Sequence, residues 1–145
     1  MKRLLLISAV LLLITSCNEH STEVKKEVET TLVKESSAPK VQLNDGERWA
    51  ANIATIEGIK NLSVMAESFD SSSENYGTLQ SNLRDEFGLI FKNCTMKGEA
   101  HEQLHNYLLP LMELFGELTE EASEKTLGKI KEHLARFDSY FVMDA

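Results

Sequence analysis

Hydrophobic positions recur every three or four residues in four segments of the chain, which is the period of an amphipathic helix. The predicted helices cover about residues 47–69, 74–93, 99–118 and 120–141. No segment has the apolar–polar alternation typical of a strand, so the pattern predicts an all-α domain. Four helices with short connections favour an antiparallel up-down four-helix bundle, in which facing helices commonly hold metal or cofactor sites.

The apolar stripes of these helices form the candidate core. Their members are Trp49, Ile53, Ile56, Ile59, Leu62, Met65 and Phe69; Tyr76, Leu79, Leu83, Phe87 and Ile90; His101, Leu104, Leu108, Leu111, Phe115 and Leu118; and Leu127, Ile130, Leu134, Phe137 and Phe141. Asn44 with Glu47, and Ser71 with Glu74, have the spacing of capping boxes. Thr119 is the expected N-cap of the fourth helix.

The N-terminus has the order of a secretory signal peptide. Lys2 and Arg3 precede an apolar run over residues 4–14, and the small residues Thr15 and Ser16 follow it. An apolar run of this length is too short to span a bilayer stably. The sequence therefore predicts export.

The segment Ile14-Thr15-Ser16-Cys17 also resembles the lipobox of bacterial lipoproteins. The resemblance implies lipid on the Cys17 sulfur, cleavage after Ser16 and acylation of the new N-terminus. Each buried methylene contributes about 0.8 kcal/mol, so two or more acyl chains make a stable anchor. The alternative is an ordinary signal peptide that happens to precede a cysteine. Asn18 follows, and by resemblance to sorting in enteric bacteria a residue other than Asp there favours the outer membrane, facing the periplasm.

Residues 18–42 are rich in Ser, Thr, Glu and Lys and carry few apolar side chains, which predicts a mostly disordered tether. A helix over residues 23–34, with a narrow apolar face, is the alternative. The expected organisation is a signal peptide over residues 1–16, the lipidated cysteine and tether over 17–42, and a four-helix bundle over 43–145.

Charge and cysteine usage restrict the partners. Without Lys2 and Arg3, 13 basic residues face 23 acidic ones, which gives the mature chain a net charge of −10. This balance argues against nucleic acid and anionic headgroups as partners. Lipid on Cys17 leaves Cys94 as the only free thiol, in an oxidising compartment and with no partner for an internal disulfide. We expect Cys94 to be buried, metal-bound or paired between molecules.

The residues that suggest chemistry follow the order Cys-x-Met-x4-His-x3-His. His101 and His105 lie one helical turn apart, with Cβ atoms about 5–6 Å from each other. If the second and third helices form a hairpin, Cys94, Met96, His101 and His105 converge at one end of the bundle. Each alone is more often a packing residue, but their coincidence predicts a metal site.

The donor types narrow the choice of ion. Thiolate and thioether favour copper, especially Cu(I), while imidazole suits Cu(II) and zinc as well. Two histidines, a cysteine and a weaker methionine match the ligand set of blue-copper sites, and zinc is the main competitor. The leading hypothesis is a non-enzymatic, membrane-anchored lipoprotein that handles copper or zinc in the envelope. A structural or interaction bundle without metal is the alternative from another class.

A third hypothesis is a small zinc-dependent hydrolase. His101-Glu102-Gln103-Leu104-His105 matches H-E-x-x-H, in which both histidines bind zinc and the glutamate activates water. The third ligand would have to come from downstream, where three residues are candidates by distance: Glu121, Glu124 and His133. Such a short motif often occurs by chance, and an all-α chain has no sheet to form a substrate cleft.

The segment Cys94-Thr95-Met96-Lys97-Gly98-Glu99-Ala100-His101, followed by Leu104-His105, resembles a family of small uncharacterised bacterial lipoproteins. Its members carry Cys-Thr-Met-x-Gly-x-x-His-x-x-Leu-His in a predicted helical bundle. The run Leu43-Asn44-Asp45-Gly46-Glu47-Arg48-Trp49 resembles the start of that domain, and the resemblance covers about residues 41–141. It implies that the cysteine, the methionine and the two histidines act as a set, and it implies no particular activity. In the family the position of Glu102 varies, which disfavours the hydrolase.

Overall fold

The computed structural model describes residues 40–120 and 123–144. The signal peptide, Cys17, His20 and the rest of the predicted tether up to residue 39 lie outside these residues. The described part contains four α-helices: α1 (Ile53–Ser68), α2 (Tyr76–Asn93), α3 (Gly98–Glu117) and α4 (Ser123–Ala135). The predicted helical class is confirmed. Of these four helices, none combines the length and apolarity that crossing a membrane requires.

Two short strands add a parallel sheet that the sequence pattern did not predict. Strand β1 (Trp49–Ala51) pairs with β2 (Phe141–Met143), with Trp49 opposite Phe141. A 3-10 helix (Phe137–Ser139) leads into β2. The prediction that strands are absent was therefore wrong, and so were the predicted start of the first helix at residue 47 and the predicted end of the fourth at residue 141.

The turn before β1 explains why the first helix begins late. The backbone of Asn44 and that of Glu47 exchange two hydrogen bonds of 2.9 Å, which close a tight turn rather than a capping box. Asp45 and Gly46 have φ angles of +49° and +95°, the left-handed backbone that an Asp-Gly hairpin turn requires. Helix α1 starts after Asn52.

The predicted capping box of the second helix was also wrong. The cap of α2 is Asn75, whose side chain accepts from the Thr78 amide at 3.2 Å, so the helix starts after the expected Ser71–Glu74 box. Helix α4 is described from Ser123 onward and residues 121–122 lie outside the described part, so the predicted Thr119 cap stays a prediction. A residue with an amide side chain replaces the expected cap at α2 because Asn accepts a helix N–H as readily as Ser or Thr.

The helices enclose one hydrophobic core. Helix α1 packs on α2 and α4, and α3 packs on both as well. The stripes of α2, α3 and α4 are buried as predicted, apart from the half-buried His101, whereas Ile53 at the start of α1 is 59% exposed. Helices α1 and α2 approach each other closely at Gly58, where an added Cβ would collide with Cγ1 of Ile90.

Contacts of the domain reach back into the last residues assigned to the tether. The Trp49 indole donates to the carbonyl of Gln42 at 2.6 Å, and the Gln42 amide donates to the side chain of Gln103 at 2.8 Å. Val41 packs, partly buried, against the core. The folded part therefore includes at least Val41 and Gln42.

Candidate metal centre

The connection between α2 and α3 positions the residues with metal-binding potential. Helix α2 ends at Asn93, because Cys94 takes an extended conformation (φ −68°, ψ 125°). Helix α3 begins at Gly98, whose φ of +61° suits a residue without a side chain. The Asn52 side chain donates to the Asn93 carbonyl at 3.2 Å and so ties this end of α2 to the start of α1. Four residues thus connect the two helices and leave Cys94 close to the first turn of α3.

Cys94 and His101 form the closest pair of potential ligands. Sγ of Cys94 lies 3.6 Å from Nδ1 of His101, and both side chains are half-buried. Zinc binds thiolate sulfur at about 2.3 Å and imidazole nitrogen at about 2.0–2.1 Å, so two such ligands at a tetrahedral angle lie about 3.6 Å apart. The two atoms therefore have the separation of neighbouring ligands on one ion, and the same distance also suits a hydrogen bond between thiol and imidazole.

His105 extends this pair into a row. Its ring centroid lies 4.4 Å from that of His101, with the ring planes at 54°, as expected for residues one helical turn apart. The ring of Phe91 meets His105 nearly at right angles, 5.5 Å between centroids. Phe91 was not predicted as part of the site, because it lies off the apolar stripe of α2. The only feature of the sequence that indicates its role is its position, three residues before Cys94.

Met96 lines a hollow next to this row of residues. It packs, partly buried, against the core and lines a hollow of about 400 Å³ together with Ala50, Ala100 and Asp144. Cys94 and the two histidines do not line that hollow. The structure thus brings Cys94 together with His101, and His101 with His105, and leaves the thioether beside this row.

Cys94, His101 and His105 do not form a complete metal site within one chain. Among residues 40–120 and 123–144, no group of three or more His, Cys, Asp and Glu side chains is arranged to hold a metal ion. Of the third ligands considered for a hydrolase, the two that the structure describes make their contacts elsewhere. Glu121 lies outside the described residues, Glu124 lines a separate hollow with Phe69 and Tyr76, and His133 contacts Tyr107.

The environment of His133 favours its neutral form. Burial lowers its pKa, and the hydrogen bond between its Nε2 and the carbonyl of Tyr107, 2.9 Å long, offsets part of that effect. The charge of nearby Arg136 acts in the same direction as burial. His133 is therefore a half-buried side chain that is hydrogen-bonded to the backbone of α3.

Charged residues flank Cys94 and His101 in the sequence in equal numbers of each sign. Lys92 lies in the last turn of α2 and Glu99 in the first turn of α3, where each complements the dipole of its helix. Lys97 and Glu102 are the other two, and all four are exposed. Two positive and two negative groups leave residues 92–102 without net charge, in contrast to the acidic chain as a whole.

The arrangement offers one thiol and two imidazoles in a row that solvent can reach. These donors suit borderline and soft transition metals, and a thiol beside an imidazole can also form a simple hydrogen bond. No protein-family model, curated protein or solved structure matches the chain, so the function proposed below depends on this geometry.

Proposed function

We propose that the protein is a membrane-anchored, metal-binding lipoprotein that handles copper in the cell envelope, with zinc as the alternative ion, and that it has no enzymatic activity. The observation that carries the proposal is the 3.6 Å separation between Cys94 Sγ and His101 Nδ1, which equals the spacing of two ligands on one tetrahedral ion. Cys94 and His101 are the strongest ligands in this proposal. His105 is the third, and Met96 is a soft or axial one.

The donor set supports copper before zinc. A thiolate and a thioether favour Cu(I), and the imidazoles allow the same residues to bind Cu(II) or zinc. His105 contacts His101 ring to ring, which makes it the third ligand in this proposal. Met96 lines the neighbouring hollow with Ala50, and it is the weakest ligand of the four.

The proposed location follows from the N-terminal sequence. The lipobox-like segment Ile14-Thr15-Ser16-Cys17 supports a lipid anchor on Cys17, and Asn18 supports the outer membrane with the domain facing the periplasm. An oxidising compartment with exchangeable metal ions is one where a lone thiol is protected by a bound metal. The anchor would keep the metal site close to the membrane surface.

We also propose that the four helices run up and down as an antiparallel bundle. The contacts of α1 with α2 and α4, and of α3 with the same two helices, are those of neighbours around a ring. The four-residue connection between α2 and α3 supports an antiparallel pair, because short connections join adjacent antiparallel helices. In this arrangement the metal site lies at one end of the bundle.

Metal content tests the proposal directly. The chain from residue 17 onward, carrying Cys17→Ser so that Cys94 is its only thiol, is loaded with Cu(I) or Zn²⁺, freed of excess ion and measured by elemental analysis. We expect retained metal in this protein and loss of most of it in the further variant Cys94→Ser. His133→Gln serves as the matched histidine control and should retain the metal.

A structural or interaction bundle is the second candidate, favoured by the hydrogen-bond contact that Cys94 and His101 can make without any metal. In that case Cys94→Ser would bind as much metal as its parent and would only unfold more readily. Equal metal content in the two proteins would therefore defeat the metal-binding proposal.

A further inference from the structure

The Cys94–His101 pair supplies only half of a tetrahedral ligand set. Structural zinc sites are almost always four-coordinate, with Cys2His2 as one common set. The described residues include no group of three or more His, Cys, Asp and Glu side chains that could complete the set within the chain. The separation of the two atoms, 3.6 Å, already fits one ion. What is missing is a second, similar pair.

The pair lies where another molecule can reach it. Both side chains are half-buried, and their neighbours Thr95, Lys97 and Gly98 are exposed at the turn between α2 and α3. This exposed turn can approach the same turn of a second copy without displacing the helices. The site is therefore open on the side where a second pair would have to enter.

Large apolar side chains continue the same edge of the domain. Phe91 on α2 is 42% exposed, and Leu109 and Met112 on α3 are 37% and 47% exposed. His105, Leu109 and Met112 share one helix face because they are four and three residues apart. Phe91 joins this surface through its ring contact with His105. A second copy that packs against this strip would bury apolar surface beside the ion.

We propose that two copies of the chain share one metal ion, with Cys94 and His101 of each copy forming a Cys2His2 site. The inference rests on the proposed metal-binding function but changes its ligand set. The second Cys94–His101 pair takes the two places that the proposed function gives to His105 and Met96. As the ion binds, each Cys94 thiol releases its proton to solvent and its sulfur bonds to the metal. No electron transfer is involved. In this arrangement His105 positions the ring of His101 rather than binding the ion.

Charge and anchoring favour this contact over others. The chain is acidic overall, which opposes self-association, but the segment over residues 92–102 has no net charge, since Lys92 and Lys97 balance Glu99 and Glu102. Around a two-fold axis the same patch meets itself, so a lysine of one copy can face a glutamate of the other. Lipid anchors, as proposed for Cys17, would also confine the copies to one surface and raise their effective concentration.

The experiment measures mass and metal stoichiometry together. The chain from residue 17 onward with Cys17→Ser is titrated with Zn²⁺ in a non-thiol reductant and followed by light scattering after size exclusion. We expect the mass to double and binding to saturate at half an ion per chain. With Co²⁺ as the probe, the absorption spectrum should indicate tetrahedral geometry, with sulfur-to-cobalt charge transfer from two thiolates per ion.

Variants separate the shared site from a site within one chain. Cys94→Ser and His101→Gln should each abolish dimer formation and weaken zinc binding more than about 100-fold, because even partners outside the ligand set change metal affinity 10–100-fold. His105→Gln should keep half an ion per chain. His133→Gln is the matched control and should behave as its parent in both mass and stoichiometry.

Each alternative outcome has a separate meaning. A monomer that binds one ion per chain and loses affinity strongly in His105→Gln would overturn the shared site and leave the proposed function intact. Absence of Zn²⁺ and Co²⁺ binding would overturn the shared site, and absence of Cu(I) binding as well would defeat the proposed function. A dimer that forms without metal and dissociates in the reductant would identify a Cys94–Cys94 disulfide instead, which also overturns the shared site.

Discussion

Tyr107 on α3 and His133 on α4 are joined by two hydrogen bonds that run in opposite directions. The Tyr107 hydroxyl donates to the His133 carbonyl, and His133 Nε2 donates to the Tyr107 carbonyl, both at 2.9 Å. The ring centroids are 4.6 Å apart. Tyr107 is 1% exposed, and this burial raises the pKa of its hydroxyl well above the usual range, so that it remains a donor. The last carbonyls of a helix lack partners within it, so Tyr107 caps the C-terminal end of α4.

This arrangement predicts that acid weakens the fold through His133. Burial lowers the pKa of His133 below its ordinary value of 6.5, so the unfolded chain binds a proton more readily than the folded one. Stability is then fully present above about pH 6.5 and is lost as the pH falls below it toward the lowered pKa. Urea unfolding at about pH 7.5 and pH 5.5 should give a smaller free energy of unfolding at the lower pH.

The variant His133→Gln identifies the group responsible. Glutamine keeps an N–H that can donate to the Tyr107 carbonyl but does not titrate. The difference between the two unfolding free energies should therefore be smaller in this variant than in its parent. The same difference in both proteins would assign the acid sensitivity to other groups.

Two glycines in helix interiors should respond to alanine with opposite signs. At Gly58 the new Cβ would collide with Ile90, and overpacking of about 1–3 kcal/mol outweighs the gain of about 0.5–1 kcal/mol in helix propensity. At Gly88 a Cβ meets nothing within 4 Å. We therefore expect Gly58→Ala to destabilise the domain by about 1–2 kcal/mol and Gly88→Ala to stabilise it by about 0.5–1 kcal/mol. Urea unfolding of both variants measures the two effects, and equal signs would contradict the packing shown for α1 and α2.

The helical stripes could be predicted from the sequence, whereas the ends of the domain could not. Helical period alone identifies the buried faces of α2, α3 and α4, because burial of one face dominates their stability. Trp49 fits the stripe of α1 by spacing, yet it lies in a strand whose partner Phe141 is far along the chain. Pairing with such a distant segment leaves no mark in a local pattern. The Asp45-Gly46 turn is the one local signal that argued against an earlier helix start.

The candidate site could be predicted only in part for a similar reason. A hairpin of α2 and α3 requires Cys94 and His101 to come near each other, because one ends a helix and the other lies in the first turn of the next. Helical spacing likewise fixes the contact between His101 and His105. The direction of Met96 depends on the backbone angles of a short irregular segment, which residue types do not determine. Its place in the hollow beside Ala50 therefore appears only in the structure.

Replacement of the proposed lipid-bearing cysteine tests the anchor. In the full chain expressed in a bacterium, Cys17→Ser should block lipid attachment and leave the protein uncleaved or released from the membrane. The expectation derives from the lipobox-like segment ending at Cys17, and stable anchoring needs more than one acyl chain. Membrane fractionation and metabolic labelling with a fatty acid measure the outcome. Cys94→Ser is the matched control and should be labelled and retained normally. Equal labelling and retention of Cys17→Ser and the unmodified chain would refute the anchor.

The variant Glu102→Gln separates a metal-binding protein from a zinc hydrolase. It keeps the shape of an exposed side chain but removes the base that a hydrolase needs to activate water. We expect unchanged zinc affinity and no peptide cleavage by either the parent or the variant. Zinc-dependent cleavage that disappears in Glu102→Gln would instead support the hydrolase. Glu99→Gln, one turn earlier on the same helix, controls for a general loss of negative charge.

The four proposed ligands should differ in importance in a fixed order. Competition against a chromophoric chelator should give the largest loss of affinity for Cys94→Ser and His101→Gln and a smaller one for His105→Gln. Met96→Leu should change zinc binding least and Cu(I) binding clearly, because only Cu(I) favours the thioether. Circular dichroism must remain unchanged in all four variants, since a packing role would instead appear as loss of helix. Loss of helical signal together with unchanged metal affinity would contradict the assignment of these residues as ligands.

The pH dependence of metal affinity counts the thiolates on the ion. A cysteine binds metal as the thiolate. At a pH where the free thiol is protonated, each sulfur that binds the ion therefore releases one proton. The metal affinity then falls about tenfold, for each bound thiolate, with every unit by which the pH is lowered. Histidine ligands add a further decrease at lower pH. In Cys94→Ser the thiolate contribution disappears, so the remaining metal binding should depend less steeply on pH than in the parent. The same chelator competition, repeated from neutral to alkaline pH, measures this slope. A slope that Cys94→Ser leaves unchanged would mean that the sulfur does not bind the ion. A slope about twice as steep per ion as one thiolate predicts would support two cysteines on the same metal.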